Sequence, residues 1–150
     1  MTGTRLNYGI PDIDLPRLGG GTVNPGDFAG HPLVVVFCPA DPSAEARELR
    51  QCAERVDDYD RYEAWLITIG REVGASTLES DHPIASAYDP GDMAWAAFKD
   101  IAGREADEYD RAEGATFLFG RGGSIQRAWP GCGHGAEVLA ELEQRVPEDK

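Results

Sequence analysis

A chain of 150 residues with 41% apolar content and a formal net charge of −13 is large enough to form one domain around a single core without staples. The acidic balance, with only two lysines, argues against nucleic acid, whose binding rests on clustered Lys and Arg, and against anionic membranes. No apolar run approaches the roughly 20 residues of a transmembrane helix, and the N-terminus MTGTRLNYG has no hydrophobic signal region, so a cytoplasmic home is expected. Cysteines at 38, 52 and 132 show no C-x-x-C spacing, are too few for a disulfide scaffold and suit a reducing compartment.

In chain order, residues 8–31 alternate apolar and polar around a Gly-rich turn at 19–21 and read as an N-terminal hairpin. Leu33–Phe37 is a continuous β-branched apolar run, the pattern of a strand covered on both faces. Cys38 and Pro39 end it. Asp41 before Pro42 predicts a helix start, since Asp accepts orphan N–H groups and Pro has none to waste; Ser43 is a second capping candidate. Leu49, Cys52, Ala53 and Val56 give that helix an apolar stripe, with Glu45, Arg47, Glu48 and Arg50 outside. A buried strand thus feeds a helix N-terminus, a geometry that stabilises thiolates and anions.

Residues 64–69 predict a second buried strand, 71–81 a polar stretch with a short helix, and 83–89 a third strand. Residues 92–102 predict a helix with Trp95, Phe98 and Ile101 on one face and Gly103 as its stop. The acidic segment 104–114 reads as an exposed excursion within the same domain. Ala115–Phe119 and residues 125–129 form a hairpin over a Gly-rich turn, and 136–146 close the chain as an amphipathic helix with Val138, Leu139 and Leu142 inward.

The junction Phe37, Cys38, Pro39, Ala40, Asp41, Pro42, Ser43, Ala44, Glu45, Ala46 resembles the F-x-P-x-x-x-T-x-x-C motif of the alkyl hydroperoxide reductase / thiol-specific antioxidant peroxiredoxins. Asp27, Phe28, Gly30 and Pro32 match the family's D-F-x-G-x-P turn, and Thr116, Phe117, Gly123 and Ile125 match its R-x-T-F-x-x-D-x-x-G-x-I element. The resemblance implies an α/β fold: a thioredoxin-like, peroxiredoxin-type mixed central sheet with flanking helices and an N-terminal β-hairpin, in a single domain over 1–150. It places Ala46 at the peroxidatic Cys and Gly114 at the active-site Arg, with Arg111 three residues out of register. A one-residue slip puts Glu45 in the Cys seat instead and lets Glu48 match the family's acidic residue. Pro39, Ser43, Ala46 and Thr116 then line the former pocket, and a homodimer is implied.

Two functions stay open: a degenerate peroxiredoxin-like protein that binds a small ligand or protein partner, and an active thiol oxidoreductase working from a relocated Cys38 or Cys132. Cys52, on the inward stripe, reads as an inert core thiol. Cys132 stands beside His134 in WPGCGHG, where an imidazole tunes a thiol. Through the implied topology Cys38, Cys132 and His134 face one cleft, with Cys38 and Cys132 nearer each other than either is to Cys52. These three lack the spacing of a metal site, so neither metal nor cofactor is expected. His31 and His82 precede prolines and read as structural.

Overall fold

The computed structural model describes residues 9–17, 20–70, 84–101 and 108–145. Its elements are β1 (Leu15–Pro16), β2 (Thr22–Val23), β3 (Leu33–Phe37), α1 (Pro42–Glu54), α2 (Val56–Arg61), β4 (Trp65–Gly70), β5 (Ile84–Tyr88), α3 (Met93–Ile101), β6 (Ala115–Phe119), β7 (Ile125–Pro130) and α4 (Gly135–Arg145). The N-terminal hairpin is present as the short antiparallel pair β1 and β2. The predicted short helix within 71–81, His82 and the Gly103 stop lie outside the described residues.

β3 takes the centre of a five-stranded sheet of order β5-β4-β3-β6-β7 among the described residues. It runs parallel to β4 and antiparallel to β6, so the sheet is mixed. All five residues of β3 are buried, as an unbroken β-branched run requires. Alternation sends Leu33, Val35 and Phe37 to one face, where Trp95 and Phe98 of α3 meet Phe117 and Phe119, and Val34 and Val36 to the other, where Cys52, Tyr59, Val138 and Leu142 cover them. On the α3 side Phe98 lies 5.2 Å from Phe37 and 5.3 Å from Phe117 between ring centroids. These aromatic contacts fix how α3 sits under the sheet. Among the described residues no helix is long and apolar enough to cross a membrane.

Two helix starts set the chemistry at one end of the sheet. Asp41 caps α1 by accepting the Ala44 N–H at 3.0 Å, with Pro42 in the first turn. Asp89, 1% exposed just beyond β5, accepts the N–H groups of Ala94 and Trp95, each at 2.8 Å, and so ties α3 to the strand end. A buried carboxylate serving two N–H donors is costly to remove, because both donors are left without a partner. Asp89→Ala is therefore expected to lower unfolding stability by about 2 kcal/mol, with Asp89→Asn losing less. Urea denaturation followed by tryptophan fluorescence measures this, and an unchanged midpoint for Asp89→Ala would show that the cap contributes nothing.

Candidate functional site

The end of β3 is held by what surrounds Cys38. Its N–H continues the sheet by donating to the Ile69 carbonyl at 2.9 Å, and its own carbonyl accepts the Arg111 Nη1–H at 2.6 Å. Arg111 is 7% exposed; its guanidinium lies 5.5 Å from the Phe37 ring centroid and 5.7 Å from that of Trp95, and its Nε is 3.8 Å from Asp92 Oδ1. A planar cation suits this place, where two aromatic faces and a carbonyl replace water. The Ala40 N–H donates to the Ala112 carbonyl, tying the same segment to the strand end. Residues 108–114 are only in part the exposed excursion that their acidic composition suggests: Glu108, Asp110, Ala112 and Glu113 are exposed, but Tyr109, Arg111 and Gly114 are buried.

Gly114 stands where the resemblance sets an arginine, yet no side chain fits there. Its φ is +83°, and a Cβ would collide with the Phe37 carbonyl oxygen. The guanidinium at this sheet end comes from Arg111 instead. Substituting Arg at 114 would break the junction rather than restore a charge.

On α1 the inward face keeps Leu49 and Cys52 of the apolar stripe and extends it toward the N-terminus with two glutamates. Glu45, Glu48, Leu49 and Cys52 are buried, spaced i, i+3, i+4 and i+7, whereas Ala53 is exposed and Val56 begins α2 after a break at Arg55. Both glutamates expected outside are therefore inside. Glu45 is 8% exposed, Ala46 half-buried. The Glu45 carboxylate packs on Gly70, where an added Cβ would lie 3.3 Å from Oε2. Burial pushes its pKa up, opposed by the Arg111 charge. Of the two residues left open for the Cys seat, Glu45 is the one turned in toward Arg111.

The thiols occupy less reactive surroundings. Cys38 is 3% exposed, and burial first, then the Glu45 charge, push its pKa well up against the pull of Arg111. Cys52 is raised by burial and then by Glu48; the half-buried Cys132 is raised by the same two causes in the same order.

The remaining pocket residues divide between places. Pro39 is buried at the strand end and Ser43 is exposed on the first turn of α1. Thr116, 2% exposed, lines a small cavity with Glu48 and Cys52 on the α1 side of the sheet. His134 is fixed within its own loop, its Nε2 2.8 Å from the Pro130 carbonyl, its Nδ1 2.6 Å from Glu137 Oε1 and its ring stacked on Trp129. Among the described residues no group of three His, Cys, Asp or Glu could hold a metal ion. Two constellations result, Glu45 with Arg111 and Cys38, and Glu48 with Cys52 and the Gly133 N–H. Sequence reasoning named Glu45 as an alternative for the Cys seat and noted Glu48 and Arg111, but its helix stripe set both glutamates outside and its reading of the acidic segment set Arg111 in solvent, although the spacing of 45, 48, 49 and 52 was there to be read.

No protein-family model and no curated protein matches the sequence. Among solved structures the chain is similar to peroxiredoxin Q of Xanthomonas campestris, with a TM-score of 0.71 and 21% identity over 90% of this chain and 92% of that one. The bacterioferritin comigratory protein of the same organism, studied for its alkyl peroxide reduction, gives 0.66 and 21% over 89% and 92%. The exposed lipoprotein thioredoxin of Streptococcus pneumoniae gives 0.63 and 14% over 89% and 99%. The chain has a thioredoxin-like fold of the peroxiredoxin type, with a mixed five-stranded sheet, flanking helices and an N-terminal hairpin.

Proposed function

We propose that this chain is a peroxiredoxin-like protein with a degenerate active site, which binds a small ligand or a protein partner at the sheet end around Glu45 and Arg111 and does not work as a thiol peroxidase. One observation carries the reading: the inward side chain at the start of α1, facing Arg111, is the Glu45 carboxylate and not a thiol. A carboxylate has no sulfur to take up the peroxide oxygen. The competing reading, peroxide reduction from a relocated Cys38 or Cys132, needs a ready thiolate, which burial and neighbouring glutamates disfavour at both. Cys38, Cys52 and Cys132 are free thiols, which supports a reducing, cytoplasmic setting. A homodimer remains part of the proposal through the resemblance.

Two measurements test it. In stopped-flow mixing with hydrogen peroxide, the wild-type chain is expected to react no faster than an ordinary exposed cysteine, and a rapid stoichiometric burst would overturn the degenerate-site reading. Carboxyl-detected NMR is expected to show Glu45 titrating above its ordinary value of 4.5. Because the folded pKa is raised, the carboxyl's contribution to stability is fully present below 4.5 and is lost as the pH rises through the folded value. Arg111→Met removes the opposing charge, so the Glu45 midpoint should climb further and the loss extend to higher pH. An unmoved midpoint would show that the two groups do not share a site.

A further inference from the structure

Along α3 runs an open groove of about 700 Å³, lined by residues 9–13, by one flank of the helix and by Gly122 and Gly123 of the β6–β7 turn. That volume lies within the roughly 300–1,000 Å³ of small-molecule sites. Its floor is apolar. Ile10, Ile13 and Ile101 line it while packing partly against the aromatic core, which holds them in place from beneath. On α3, Met93, Ala97 and Ile101 recur at i, i+4 and i+8, a stripe beside the buried Ala94, Trp95 and Phe98. Met93, at 67%, is the one large apolar side chain standing in solvent among the described residues. A flexible thioether at a groove adapts to what lies in it.

The charged lining has one sign. Asp12 and Asp100 supply it, and no Lys, Arg or His among the described residues joins them. The Asn24 amide donates to Asp12 Oδ1 at 2.7 Å and to Asp14 Oδ1 at 3.0 Å, which orients these carboxylates without cancelling their charge. Asp100 stands in the last turn of α3, where the helix carbonyls already present partial negative charge and an acidic side chain is disfavoured. Lys99 lies about 100° round the helix from it and does not line the groove. A carboxylate set against its own helix dipole, beside an apolar floor, favours a positive charge brought in from outside the chain.

We propose that this groove binds a small organic cation with an apolar body, which lies on Ile10, Ile13, Met93, Ala97 and Ile101 with Asp12 and Asp100 as its counter-charges. An anion of the same shape is repelled, and the net charge of −13 draws cations toward the surface. The proposal does not rest on the reading at Glu45 and Arg111, because neither residue lines the groove.

The test titrates the isotope-labelled full chain with octylammonium, octanol and octanoate, three head groups on one tail, and follows the backbone amides by NMR at neutral pH. Octylammonium is expected to shift the amides of 10–13 and 93–101 saturably, octanol to bind more weakly and octanoate least. Asp100→Asn should weaken octylammonium about two- to fivefold, the range of an exposed charge pair, and leave octanol unchanged. Its urea midpoint should hold or rise, since an acidic group leaves the helix C-terminal turn. Added salt should weaken octylammonium alone, and Ala97→Phe, which fills the groove, should abolish binding of all three. Equal affinity for the three head groups, shifts centred on α1 and Arg111, unchanged octylammonium binding in Asp100→Asn, binding that survives Ala97→Phe, or no saturable shift would each overturn the proposal. A concentration-dependent shift of the same amides in the ligand-free chain would also overturn it, by showing that a second copy covers the groove.

Discussion

Two carboxylates turned inward on one helix set the terms for the sheet end. Burying a charge costs several kcal/mol unless partners replace its water, and the first turns of α1 bury both Glu45 and Glu48. Each has found a different solution. Glu45 lies in the field of Arg111, itself held by the Cys38 carbonyl and two aromatic faces. Glu48 takes the Gly133 backbone N–H and the Cys52 thiol one turn along the helix. The placing of segment 108–114 and of the loop before α4 follows from these two arrangements.

The two faces of the sheet divide the labour of the fold. On the α3 side, Phe37, Phe98, Phe117 and Phe119 interlock with Trp95 as an aromatic core whose packing is directional as well as apolar. On the α1 and α4 side, small and polar groups enter: Cys52, Thr116 and Glu48 lie among Val36, Tyr59 and Val138. Arg111 leans on the rings of the first face at the strand end. The second face carries the side chains with chemistry, which is where a thiol and a carboxylate can meet without water.

A peroxiredoxin-type fold does not by itself fix the chemistry at the sheet end, because fold and site are specified by different residues. The core asks only for apolar volume at alternating positions, which many substitutions satisfy. A peroxide-reducing centre asks for sulfur at one place. Glu45, buried in the field of Arg111 at the start of α1, offers no nucleophilic sulfur.

The sequence by itself determined the elements. The unbroken run 33–37, the Asp41 and Pro42 start, the 115–130 hairpin and the inward Val138 and Leu142 are local patterns, and each appears in the structure because periodicity and capping act over a few residues. Only the tertiary structure decided how far the inner face of α1 reaches. The stripe through Leu49, Cys52 and Val56 was legible and lies inward, but its extension to Glu45 and Glu48 rests on partners from distant segments. The same holds for Arg111, whose acidic neighbours suggest solvent while a carbonyl 73 residues away and two rings hold it buried. Charged side chains go inside only where another part of the chain supplies the partner, and that supply is a property of three-dimensional proximity, which local pattern does not encode.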